Sequence, residues 1–399
     1  MILRTVRTLP PESVPFQLAV GRILAEPVVA PHDVPNFANS AMDGFAVRAV
    51  DVSTPGAVLE ILEEVAAGQV ATVPVSEGQA IKIMTGAPMP DGTDTVVRVE
   101  DTEEDNGKVR VATSPEVGTS VRPTGGDVAA GATVFEKGTR LSEPHIGVLA
   151  TVGVVEPVVT RRPRVAVMST GDELVPPETE ELGPGLIRDS NRPMLLALVT
   201  AAGAEPIDMG RIPDDADSLR ATLGQAAVEA DAIVTSGGVS MGEFDVTKMV
   251  LRDEAEVEFF PVAMKPGKPQ GFGTLGGTPF FGLPGNPVSV LVSFEQFMRP
   301  ALLAMQGAKA LLRPRLLGIA GQDFHSDPSK EEFIRVAFVG DEAPPTVVQT
   351  GGSGSHVLSG AADADAFAVL PVNVETIEKG DPVTLELFRA VETRDIERD

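Results

Sequence analysis

The chain has 399 residues, with 32 basic against 57 acidic side chains and a formal charge of −25 at pH 7. A single core stops growing near about 250 to 300 residues, so several domains are expected, and the charge repels phosphate backbones and anionic lipid, which argues against nucleic acid or a membrane as partner. The absence of Cys excludes disulfides, zinc thiolate sites and thiol nucleophiles, and the absence of Tyr and Trp removes most base-stacking platforms.

The first residues, Met1-Ile-Leu-Arg-Thr-Val-Arg, lack the apolar stretch of a signal peptide. No later segment approaches the roughly 20 apolar residues of a membrane helix, so a cytoplasmic protein is expected. In residues 13–25 Val14, Leu18, Ile23 and Leu24 fall near helical spacing behind Ser13 and Pro15, which predicts a short amphipathic helix. Asn39-Ser-Ala-Met-Asp-Gly-Phe-Ala puts Asp43 before a glycine, either as a tight turn or as an acid held where a ligand can approach backbone. From about 42 to 135 brief β-branched runs are separated by Gly, Pro and Asp, which predicts an all-β segment. Two of its loops are ordinary turns or anion holders: Thr85-Gly86 with a hydroxyl and free N–H groups, and Arg122 to Asp127 around Gly125-Gly126.

At Arg164 the pattern becomes that of an open α/β domain. Arg164 to Thr170, Ala232 to Thr235 and Thr278 to Gly282 read as buried strands, 193–202 and 215–230 as helices, and Pro287 to Leu303 as a long closing helix. Ligands of such sheets bind at the carboxyl ends of strands. Two strands there run into Ser169-Thr170-Gly171-Asp172-Glu173 and Ser236-Gly237-Gly238-Val239-Ser240, followed by Glu243 and Asp245. Glycine N–H groups and hydroxyls suit a phosphate, and carboxylates beside a phosphate call for a divalent cation, which makes Mg²⁺ the expected ion.

Lys265 and Lys268 on a proline-stiffened turn are a local exception to the acidic field and suit an anion. Leu283-Pro284-Gly285-Asn286-Pro287 leads into a helix whose first turn carries Ser289, either as an ordinary helix start or as part of the site. After Arg313 short alternating runs return, predicting a small C-terminal β domain that carries Arg335, Ser353 and Ser355. The four histidines, His32, His145, His325 and His356, show no metal-ligand spacing.

Taken in order, Ser-Ala-Met-Asp-Gly-Phe-Ala, Met-Thr-Gly-Ala-Pro, Arg-Pro-x-Gly-x-Asp, Ser-Thr-Gly-Asp-Glu-Leu, Ser-Gly-Gly-Val-Ser-Met-Gly-x-x-Asp, Lys-Pro-Gly-Lys-Pro and Leu-Pro-Gly-Asn-Pro-Val-Ser resemble the molybdopterin molybdenumtransferases, the MoeA and gephyrin E-domain family. The resemblance implies a multidomain subunit: a discontinuous extended domain of 1–41 and 126–162, an inserted β domain of 42–125, a central doubly wound α/β molybdopterin-binding domain of 163–305, and a small β-barrel of 313–389. It implies a homodimer that converts adenylylated molybdopterin and molybdate, with Mg²⁺, to molybdenum cofactor and AMP, with a molybdopterin adenylyltransferase as upstream partner.

Residue by residue, the resemblance assigns Asp43, Thr85, Asp127, Glu173, Asp245, Lys265 and Lys268 to catalysis, with Glu173 and Asp245 on the metal. Arg122, Ser169, Thr170, Gly171, Ser236, Gly237, Gly238, Ser240, Pro284, Gly285, Asn286 and Pro287 would bind the pterin nucleotide. Lys268, Pro269, Ser289, Arg335 and Ser355 would form the molybdate pocket, where a tetrahedral dianion needs many donors and few acceptors. Phe45 stands where the family often has tyrosine, and Gly126 where it more usually has a glutamate. An adenylyltransferase would account for 163–305 alone, and the N- and C-terminal motifs argue against it; the alternative kept is a non-catalytic molybdopterin-binding scaffold of the gephyrin type, against which the ionisable cleft residues favour catalysis.

Overall fold

The computed structural model describes residues 1–238, 248–251, 255–352 and 354–389. The chain divides into two compact units, one of Met1–Glu12 with the segment from Thr160 onward and one of Ser13–Val159.

In the Ser13–Val159 unit, a six-stranded sheet runs in the order Thr95–Arg98, Gly44–Val47, Gln79–Ile83, Ala57–Val65, Lys108–Val111, Thr102–Asp105. Successive side chains of a strand face opposite sides, so Phe45 and Val47 enter one core with Leu59 and Val97, while Ala46 enters another with Ile81 and Val96. The expected all-β segment is therefore present. The helix predicted over 13–25 is not: only Phe16–Leu18 forms a 3-10 turn, and Gly21 has φ +77°. Backbone donors leave for other segments instead, Gly21 N–H to Leu141 O at 2.7 Å and Leu24 N–H to Thr139 O at 3.0 Å. Tertiary pairing outweighed a weak local preference.

The other unit holds a mixed six-stranded sheet ordered Glu205–Ile212, Arg164–Thr170, Ala232–Ser236, Thr278–Leu283, Pro269–Leu275, Glu256–Pro261. The first four strands are parallel and the last two join antiparallel. Its two faces are covered separately. Val165, Val167, Val234 and Phe281 pack with Leu195, Val199, Val290, Phe294 and Met298, while Ala166, Met168, Ile233 and Phe280 pack with Leu219 and Leu223. Helices Asn191–Ala201 and Pro287–Ser293 thus lie on one face and Ala216–Glu229 on the other, which is the doubly wound arrangement. Each such Leu, Val or Phe contributes about 1.5–3 kcal/mol by leaving water.

The closing helix runs from Pro287 to Met305 as three joined pieces, with a π turn at Phe294–Met298. By length and composition it qualifies as a membrane span, unlike the sequence reading, yet 83% of it is buried inside the protein. Its apolar surface is already covered by the sheet and by the C-terminal strands.

The C-terminal region is a closed five-stranded barrel: Glu331–Val339, Thr346–Gln349, Arg315–Ala320, Pro382–Leu387 and Ala366–Leu370, with the last pairing back to the first. A two-residue strand, Met264–Lys265, lies parallel on the barrel, Met264 beside Glu331 and Lys265 beside Glu332. Val288, Leu291 and Val292 of the closing helix pack with Phe333, Phe367 and Val369 of the barrel.

Candidate active site

Between the start of the closing helix and the barrel lies a cleft of about 700 Å³. Its lining includes Lys265, Pro269, Ser289, Glu332, Arg335 and Ser355. Four of the five residues expected to hold molybdate therefore meet at one wall. Lys268 is not part of that lining: its side chain is exposed, and its carbonyl accepts the Val262 N–H at 2.7 Å.

Local hydrogen bonds explain why these segments converge. Asn286 caps the closing helix by position, yet its Nδ2 donates to Ser355 Oγ at 2.9 Å rather than to its own helix, and Val288 N–H donates to Ser355 O at 3.0 Å. Behind Lys265, Gln270 Nε2 donates to Gly267 O at 2.6 Å and to Ser293 Oγ at 2.7 Å. Gly267 has φ +102°, and a Cβ there would lie 2.9 Å from Ser293 Oγ, so the turn requires glycine.

Arg335 is buried, at 4% exposure, and burial pushes its guanidinium below its ordinary pKa. Its Nη1 donates to Val357 O and its Nη2 to Gly352 O and, at 3.4 Å, to Gly354 O. Among the described residues no carboxylate pairs with it. A buried cation satisfied only by carbonyls keeps a charge that no carboxylate compensates. Lys265 differs, since its Nζ lies 2.9 Å from Glu332 Oε1.

At the carboxyl ends of the parallel strands the structure corrects part of the expectation. Ser169 is fully buried and its Oγ donates to Asp189 Oδ2 at 2.6 Å. Ser236 is buried too, with its Oγ accepting Asn191 Nδ2 at 2.8 Å. These hydroxyls are pins beneath the loops, not free donors for phosphate, because a buried hydroxyl must find a protein partner. Gly237 N–H likewise donates to Leu283 O at 3.2 Å. The same Asn191 amide donates to Gly285 O at 2.7 Å, joining the loop after Ser236 to the Pro284–Asn286 turn before Pro287.

Glycine is nevertheless needed at 237, where φ is +93° and a Cβ would lie 2.7 Å from Thr170 O. Gly171, at φ +137°, is overlain by the Glu173 carboxylate, whose Oε2 would sit 2.5 Å from a Cβ, and Gly238 also has positive φ, +70°. Ser240, Glu243, Asp245 and Ser353 lie outside the described residues.

In the Ser13–Val159 unit, Asp43 Oδ1 accepts the Thr85 N–H at 2.7 Å and the Thr85 hydroxyl at 2.8 Å. These two bonds hold the exposed Asp43 carboxyl below the usual aspartate value. Arg122 pairs with Asn39 in a short antiparallel ladder, which sets it beside the Asp43 loop, whereas Asp127 is anchored through its N–H to Val34 O at 2.9 Å. Arg122 and Asp127 both have exposed side chains.

Sequence reasoning missed Asp189, Asn191 and Glu332. Asp189 and Asn191 sit just before the expected helix start, where an Asp-Ser-Asn run reads as a cap; Asp189 does take the Arg192 N–H on Oδ1 at 3.1 Å, but its Oδ2 accepts the Ser169 hydroxyl and the Asn191 amide turns inward to Ser236 and Gly285. Glu332 is the second of two adjacent acids, Glu331 and Glu332, at the start of the strand that carries Arg335, and nothing in the sequence separates the two.

Comparison with known proteins covers most of the chain. Family models described as MoeA N-terminal region (domain I and II), probable molybdopterin binding domain, and MoeA C-terminal region (domain IV) match residues 1–153, 166–304 and 318–388. Molybdopterin molybdenumtransferase 2 of Mycobacterium tuberculosis is 39% identical over 390 residues, covering 95% of this chain and 96% of the relative. Molybdopterin molybdenumtransferase of Haemophilus influenzae is 36% identical over 376 residues, covering 94% and 93%. A crystal structure of the molybdopterin biosynthesis protein MoeA from Pyrococcus horikoshii superposes with a TM-score of 0.86 at 32% identity, covering 97% of both chains.

Proposed function

This chain belongs to the MoeA family of molybdopterin molybdenumtransferases, and we propose that it inserts molybdate into adenylylated molybdopterin with release of AMP. It is a transferase of molybdenum cofactor biosynthesis, with molybdopterin and molybdate as substrates. The observation that carries the finer reading is Arg335, a buried guanidinium lining the cleft with no carboxylate partner among the described residues.

In this reading Arg335, Ser289, Ser355 and Pro269 receive molybdate, with Lys268 at the rim, and Arg335 orients the oxyanion through its unused N–H groups. The nucleotide lies over Thr170, Gly171, Gly237, Gly238 and the 284–287 turn, and Lys265 stabilises the charge that develops as AMP departs. Glu173, with Asp245, would hold Mg²⁺. The fit is chemical: a carboxylate oxygen at the strand ends is the hard donor Mg²⁺ takes, and one or two carboxylates suffice when water and phosphate oxygens complete the shell. When bound, the ion neutralises phosphate charge.

The proposal includes a cytoplasmic homodimer in which Asp43, Thr85 and Asp127 of one copy serve the cleft of the other, supplied by an enzyme that adenylylates molybdopterin. Light scattering tests the dimer; a monomer that turns over would remove it. The central test incubates the protein with adenylylated molybdopterin, Mg²⁺ and molybdate. Molybdate-dependent AMP release with molybdenum retained on the pterin is expected, and AMP release indifferent to molybdate would overturn the reading.

A further inference from the structure

We propose that Glu332 is a positioning residue that holds the Lys265 ammonium at the cleft wall and neutralises it there, so that the lysine serves turnover rather than the resting hold on molybdate. The proposal rests on the reading of the cleft given above. Register brings the two side chains together: Lys265 lies beside Glu332 in the short parallel pairing, and Nζ sits 2.9 Å from Oε1. The lysine side chain is 46% exposed and the glutamate 8%, so the pair is a buried anion with a half-exposed cation.

Burial of the carboxylate is informative. Glu332 and Lys265 both line the cleft, and an anion kept out of water beside an oxyanion site weakens oxyanion binding unless it has another task. Its second oxygen takes only a long bond from Asp327 N–H, at 3.4 Å. Lys265 is therefore its main partner. Arg335, three residues along the same strand, has no carboxylate among the described residues.

Among the described residues that line the cleft, Arg335 is thus an open cation and Lys265 a neutralised one. Arg335 attracts molybdate in the resting state, whereas Lys265 is withheld until negative charge develops near it. An interaction that is stronger in the transition state than in the ground state raises turnover; one made equally in both only tightens binding.

The test is Glu332→Gln, which keeps shape and removes charge. Calorimetry with molybdate alone should show affinity about fivefold tighter, as expected for losing one nearby anion in a partly solvated site. Molybdate-dependent AMP release should fall by roughly tenfold or more in kcat, since an unanchored lysine no longer meets the developing charge. Glu332→Asp, which keeps the charge, should leave molybdate affinity within about twofold of wild type. In a Lys265→Ala background Glu332→Gln should lower kcat no further, because the two act as one unit.

A merely structural role would lower thermal stability and the active fraction while leaving the molybdate dissociation constant unmoved, and that result overturns the proposal. So does multiplication of the Glu332→Gln and Lys265→Ala losses. If wild type itself neither binds molybdate nor releases AMP, the transferase reading fails first and the proposal falls with it; an active wild type with indifferent variants sinks the proposal alone.

Discussion

Replacement of Arg335 by alanine is the sharpest probe of the cleft. A guanidinium carries five N–H donors. Three are spent on the carbonyls of Val357, Gly352 and Gly354, which leaves two to meet an oxyanion. Hydrogen bonds to charged groups contribute about 1.5–3 kcal/mol each, so the lower end for two is about 3 kcal/mol, or roughly 100-fold in the dissociation constant. Arg335→Lys keeps the charge but not the planar fork, and should recover about tenfold of that loss. Isothermal titration of molybdate into the nucleotide-free protein measures both variants, with thermal unfolding as a check that the 352–357 loop survives loss of its anchor. An alanine variant that stays folded and binds molybdate within about threefold of wild type would refute the assignment of the buried guanidinium as the anion anchor.

Three further outcomes are expected. Gly237→Ala places a Cβ at φ +93° and 2.7 Å from Thr170 O, and should destabilise the α/β unit by about 3 kcal/mol in urea unfolding, through strain and overpacking together; a change under about 0.5 kcal/mol, the range of neutral surface substitutions, would show that the loop can relax. Asp231 is pushed up by burial but more strongly held down by the Arg161 guanidinium, at 2.7 and 2.8 Å, and by Arg164 N–H, so its folded pKa lies below the ordinary 3.8. A depressed aspartate stabilises the fold above its unfolded value and loses that contribution as pH falls through the folded one, so acid unfolding below pH 3.8 should flatten in Asp231→Asn, and an unchanged acid limb would contradict the linkage. Thr85→Val removes the hydroxyl donor and keeps the N–H, so the Asp43 carboxyl should titrate higher by NMR; an unmoved titration would mean the hydroxyl bond does not form in solution.

The sheet was legible because its strands are apolar runs ending in small polar residues, and Val165 to Met168 have no other way to be buried than between two helical layers. The C-terminal β domain was legible as alternation after Arg313, whereas its closure into a barrel came only from the family resemblance. Residues 13–25 failed because a period-like spacing of four apolar residues says nothing about distant carbonyls such as Leu141 O and Thr139 O, which capture the donors. The antiparallel strands Glu256–Pro261 and Pro269–Leu275 were missed for a related reason: glycines at 271 and 273 interrupt the second, and only the structure shows that a Cβ at Gly273 would lie 1.9 Å from Glu256 O.

At the site, motif residues were legible as candidates, but their division of labour was not. Ser169 and Ser236 have the chemistry of phosphate donors, and burial alone redirects them to Asp189 and Asn191. Glu332 became meaningful only when a two-residue strand set Lys265 beside it.

The order of the chain has a consequence for synthesis. Residues 13–159 close on themselves, with Val14 N–H reaching Pro157 O at 3.3 Å. Leu9, by contrast, donates its N–H to Met305 O at 2.8 Å, nearly 300 positions downstream. Translation at roughly 5–20 residues per second separates the emergence of residue 160 from that of residue 305 by about 7–30 s. For that interval the partners of the 13–159 segment are all present, while those of Leu9 are not. Ile2, Val6 and Leu9 are made long before the core they pack against and can take their places only after it has emerged.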